Sequence, residues 1–124
     1  MGHLIGDKKA IDISFPAATV GDHGDLFRVS GFTGFLINDI TAAAVNRGRA
    51  LEVAVNRAWK IKLPAALNPA VGTNLKWSAG AGFKRGDTDL IAGGALELGV
   101  CKVVTAKNAD GYAEVVLTSQ IPEV

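Results

Sequence analysis

Apolar residues along this chain recur mostly with period 2. The clearest run is Leu51 to Leu63, where Leu51, Val53, Val55, Trp59, Ile61 and Leu63 take odd positions and Glu52, Asn56, Lys60 and Lys62 take even ones. That alternation predicts a strand with one buried face. Unbroken, it would span roughly 43 Å, longer than ordinary strands. Arg57 interrupts the odd series, so a bend or bulge is expected at Asn56-Arg57-Ala58. Pro64 has no N–H to donate and ends the ladder. Ala65 to Thr73 reads as a compact connector, and Leu75 with Trp77 opens another short strand.

The same pattern extends in both directions. Ile11, Ile13 and Phe15 alternate with Asp12 and Ser14, as a strand or as a tail that needs a sheet edge. Leu26 to Ser30 and Thr33 to Asn38 read as two strands across Gly31. Asp39 to Gly48 fits either a loop or one helical turn capped by Asp39 or Thr41. Ser78 to Asp89 is glycine-rich and reads as a hairpin tip or a loop. Ala95 to Thr105 is apolar on both faces near Val100-Cys101 and Val103-Val104, which predicts a central, covered strand. Asn108-Ala109-Asp110-Gly111 is a turn signal, and Tyr112 to Thr118 pairs back from it. Trp59, Ile61, Val100, Val103, Val115 and Leu117 are expected to be buried together.

Many short strands with glycine turns predict an all-β fold, a small β-barrel or sandwich with at most one short helix. Residues 1–10 hold little to bury beyond Leu4 and Ile5 and read as an N-terminal arm. Residues 11–124 form a single β-rich domain, as the length of 124 residues suggests.

Charge and composition narrow the functional classes. Thirteen basic residues balance twelve acidic ones, and Lys8-Lys9, Arg47-Arg49 and Lys84-Arg85 are short and scattered. Nucleic acid is therefore not an expected partner. No segment approaches the roughly 18 apolar residues of a membrane span, so no membrane partner is expected either. The single cysteine, Cys101, reads as a small buried hydrophobe in a protein made in a reducing compartment.

Candidate chemistry is thin. Gly80-Ala81-Gly82-Phe83-Lys84-Arg85-Gly86 has the wrong spacing for a phosphate loop and no helix pattern after it. Arg85-Gly86-Asp87 spells an adhesion tripeptide, best read as chance. His3 and His23 are the only histidines, and Asp22-His23-Asp25 reads as a solvated turn rather than a metal site. No catalytic residue, cofactor or metal is expected. Trp59 and Trp77 sit in strand phase, which favours core packing, with a subunit interface as the alternative.

The order of features resembles the tailed-phage capsid decoration (cement) proteins of the DUF2190 type. It runs through Phe15-Pro16-Ala17-Ala18, Val20-Gly21-Asp22, Val29-Ser30-Gly31 and Gly34-Phe35. It continues with Ala54-Val55, Ala58-Trp59-Lys60-Ile61-Lys62-Leu63-Pro64, Val71-Gly72 and Leu75-Lys76-Trp77. Leu98-Gly99-Val100 and Gly111-Tyr112-Ala113-Glu114-Val115-Val116-Leu117 complete it. The resemblance covers about residues 14 to 118, and ordered spacing carries it. Arg57-Ala58 stands where the family usually has Gly-Val. The resemblance implies a β-tulip-like fold, no enzyme activity, and a place on the outer capsid surface after synthesis in the host bacterial cytoplasm. It implies the major capsid protein as partner and homotrimers at three-fold or quasi-three-fold positions. An arm bearing Leu4, Ile5, Ile11 and Ile13 would then suit capsid binding by strand addition. The competing class is a small β-barrel module for carbohydrate or nucleic acid, built on Trp59 with Lys60 and Lys62 and on Trp77 with Lys76.

Overall fold

The computed structural model describes residue 2 and residues 9–41, 49–55, 57–94 and 99–118. Among them are ten strands and one helical turn. The strands are β1 (Ala10–Ile13), β2 (Leu26–Val29), β3 (Phe32–Leu36), β4 (Arg49–Glu52), β5 (Ala58–Lys62), β6 (Asn74–Trp77), β7 (Lys84–Arg85), β8 (Leu90–Ala92), β9 (Cys101–Val103) and β10 (Tyr112–Leu117). The helical turn, α1 (Gly86–Asp89), lies between β7 and β8. The fold is all-β. Two antiparallel five-stranded sheets run in the orders β1-β4-β3-β2-β7 and β5-β10-β9-β6-β8.

The sheets meet through side chains, not through a shared ladder. Leu26 and Phe35 of the first sheet join Ile61, Leu75, Trp77, Cys101, Val103, Val115 and Leu117 of the second in one core. The Trp77 indole N–H donates to the Thr33 hydroxyl at 3.1 Å across the layers. Phe35 stacks on Trp59 with centroids 4.9 Å apart. The expected barrel therefore gives way to two open sheets, because no described strand hydrogen-bonds one sheet to the other.

The long alternating run from Leu51 to Leu63 is where the chain changes layer. β4 belongs to the first sheet and β5 to the second, so the expected bulge is a full crossing. Val55 at the crossing is exposed, and the Arg57 guanidinium pairs with the buried Glu52 carboxylate. The odd-position alternation survives the crossing because both halves bury that phase.

Three other expectations change. Cys101–Val103 is central in its sheet but covered on one face only, since Lys102 is exposed; residues 95–98 of the predicted strand lie outside the described residues. The 78–89 stretch holds β7 and α1, where a hairpin tip or loop was expected. The Asp89 carboxylate accepts from the Arg85 N–H at 2.8 Å and closes α1 from inside, in the manner of a capping box. The possible turn over 42–48 lies outside the described residues.

Two glycines are required by close backbone approach. A Cβ on Gly34 would sit 2.4 Å from the Glu52 carbonyl oxygen, and one on Gly99 would sit 2.5 Å from that of Leu75. The turn before β10 forms as its sequence suggests. The Asn108 side-chain oxygen accepts from the Asp110 and Tyr112 N–H groups, while Gly111 takes φ +88°.

Candidate functional site

The second sheet has a clean in–out alternation. In β10, Ala113, Val115 and Leu117 are buried while Tyr112, Glu114 and Val116 face outward. β5, β6 and β9 repeat this with Ile61, Leu75, Trp77, Cys101 and Val103 inward. Their outward positions carry Lys60, Lys62, Asn74, Lys76 and Lys102. Register places Lys60 opposite Glu114, Lys62 opposite Tyr112, and Lys102 between Val116 and Asn74. One face of this sheet is thus the core, and the other is an open lysine-bearing surface.

The sequence singles out Lys60, Lys62 and Lys76 only as neighbours of the two indoles, and Lys102 not at all. The signal was present as lysine at alternate positions of separate strands. Only the strand order, which sets β9 beside β10 and β6, brings them together.

The expected site residues lie as follows. Leu4 and Ile5 fall outside the described residues. Ile11 and Ile13 lie in β1, an edge strand that pairs with β4 of the same chain, Ile11 opposite Leu51. Both are partly buried against the second cluster of apolar side chains, which holds Phe15, Phe27, Val29, Leu36, Ile40 and Leu51. Trp77 is buried at 2% exposure. Trp59 is partly buried against the core between Phe35 and the His23 ring, 5.6 Å away, and its indole N–H has no partner. Both indoles lie on the core side of their strands, and the neighbouring lysines lie on the other. The groove that the carbohydrate or nucleic-acid reading needs, with rings and cations on one surface, is therefore not formed by these residues.

The glycine-rich stretch is a pinned loop. The buried Arg28 guanidinium donates to the Gly80 and Gly82 carbonyls at 2.8 and 3.0 Å. Arg85 lies over the Phe27 ring, 5.2 Å from its centroid, and donates to the Val20 carbonyl and the Asp87 carboxylate. The Arg85-Gly86-Asp87 tripeptide is thus tied to itself and to the first sheet.

Around α1 and the 22–25 turn, Asp22, Asp25 and Asp87 gather near Arg85. Burial pushes the Asp25 carboxyl above its ordinary range. The Asp22 N–H that it accepts pulls it back, and the Asp22 and Asp87 charges push it up further. Burial alone pushes the Cys101 thiol up to about 12, so it is neither a thiolate nor a nucleophile at neutral pH. Among the described residues, no group of three or more His, Cys, Asp or Glu could hold a metal ion, and no helix is long and apolar enough to cross a membrane.

No protein family, curated protein or solved structure matches this chain.

Proposed function

We propose that this chain is a structural decoration protein of a tailed-phage capsid, binding the outer shell surface as trimers at three-fold and quasi-three-fold positions. The observation that supports this most is where the resemblance residues fall. Gly34 and Gly99 stand at close backbone approaches, and Phe15, Ile61, Leu75, Trp77, Val115 and Leu117 fill the two apolar clusters. The residues that carry the resemblance thus lie at packing positions of one two-sheet scaffold.

A cement protein works by contact area and stiffness. Each copy binds weakly, and an array of copies on a shell gains from multivalency. The arm belongs to this reading. Residues 1–8 precede an edge strand, where added backbone can pair with a partner's strand. The test is to mix the purified chain with undecorated shells assembled from the major capsid protein of the phage that encodes it. Saturable binding at three-fold positions is expected, and isolated copies elsewhere on the shell would refute the trimer. Deleting residues 1–8, which spares β1, is expected to leave the fold intact and weaken binding at least tenfold, about 1.4 kcal/mol.

A further inference from the structure

We propose that the open lysine face of the second sheet is the surface that meets the shell, and that its partner is an acidic protein surface there. This rests on the decoration reading above. Among the described residues, the outward strand positions of this face carry Lys60, Lys62, Lys76 and Lys102 and one carboxylate, Glu114. Those described positions are predominantly basic, whereas the whole chain is nearly balanced at +1. Across the ladders, Glu114 stands opposite Lys60 alone. Lys62 faces Tyr112, and Lys102 faces Val116 and Asn74, so across the ladders neither has a carboxylate opposite it, while Lys62 also borders a recess with Asp25, Asp87 and Arg85.

The face also has apolar material and relief. Ile91 is 41% exposed opposite Lys76, and Val116 lies between Ala58 and Lys102. Beside Lys102 is a recess of about 320 Å³ lined by Val71, Gly72, Thr73, Asn74 and Gly93. Small apolar groups inside a charged surround suit a protein interface. Single-stranded nucleic acid would instead want stacking rings among the cations, and both indoles point to the opposite face. Charge of one sign on the chain selects charge of the other sign on the partner and speeds encounter.

The experiment compares wild type, K62Q/K102Q and K62R/K102R on undecorated shells at sub-saturating concentration, with matched denaturant midpoints as the folding control. The glutamine pair is expected to bind at least tenfold more weakly at low salt, and the arginine pair to bind as wild type. Raising the salt to about 0.5 M, where the Debye length shrinks to a few ångströms, should weaken wild type towards the glutamine pair. Equal binding by wild type and K62Q/K102Q overturns this inference and leaves the decoration reading standing. Loss in the arginine pair as well would make shape rather than charge the cause and also overturn it. Shells left bare by wild type overturn both. A DNA oligonucleotide that binds wild type but not K62Q/K102Q, while shells bind both, would reassign the face to nucleic acid.

Discussion

The two sheets have the same number of strands and opposite surroundings. In the first, β2 and β3 bury nearly every residue, because both faces are covered. One face lies on the second sheet. The other lies under Phe15, Ile40 and Phe83, which arrive from connecting segments rather than from a third sheet. Phe27 is the centre of that cover, edge-on to Phe15 at 5.2 Å and stacked on Phe83 at 5.7 Å. Among the described residues the second sheet has no such aromatic cover, and its outer face carries lysines on half-exposed and exposed strand positions. A small domain can thus spend its few aromatic residues on closing one sheet, and leave the other as an open platform for a partner.

The contrast can be broken at its strongest point first. Trp77→Ala empties the shared core and removes the indole N–H that donates to the Thr33 hydroxyl, and should cost about 3–5 kcal/mol by denaturant unfolding. Phe27→Ala should cost about 3–4 kcal/mol. A cost below about 1.5 kcal/mol would mean that Phe15 and Phe83 only shade the first sheet and do not pack on it. Arg28→Met removes the cation that holds Gly80 and Gly82. It should cost about 2 kcal/mol and speed proteolysis between residues 79 and 83.

A subtler test uses pH. Asp25 binds its proton more tightly folded than unfolded, so its contribution is fully present below pH 3.8 and is lost as pH rises through the raised folded value. Asp25→Asn should flatten that fall in a stability–pH profile, and an unchanged slope would assign the fall to other groups. The smallest effect belongs to the open platform. Lys60→Gln should change stability by no more than about 0.5 kcal/mol, and a larger loss would show that the lysine face supports the fold.

The second sheet was the more legible of the two in the sequence. Period-2 alternation reports one covered face, so the strand phases of 58–62, 74–77 and 112–117 were readable, along with the buried set from Ile61 to Leu117. Trp59 was expected among them and is only partly enclosed, because it sits on β5 at the sheet margin. The first sheet was harder to read. Covered on both faces, β2 and β3 lose their alternation, and nothing local announces that Phe83, fifty-six residues after Phe27, completes their cover. The crossing between β4 and β5 was read as a bulge because the alternation keeps its phase through it. The lysine face was legible only in part, since Lys60, Lys62 and Lys76 stand out beside the indoles and Lys102 does not. Each lysine alone is an ordinary polar strand position, and only strand order gathers them.

Cys101 gives the chain a built-in clock. Its side chain is fully buried in β9, between β10 and β6, and it is the only cysteine. A thiol-specific alkylating reagent can reach it only when those strands part or the two sheets separate. The rate of labelling at mild alkaline pH therefore counts openings of the second sheet and of the core it shares with Leu26 and Phe35 of the first. Measured free and then shell-bound, that single rate would report how far attachment on the outside of the sheet slows the breathing of its inside.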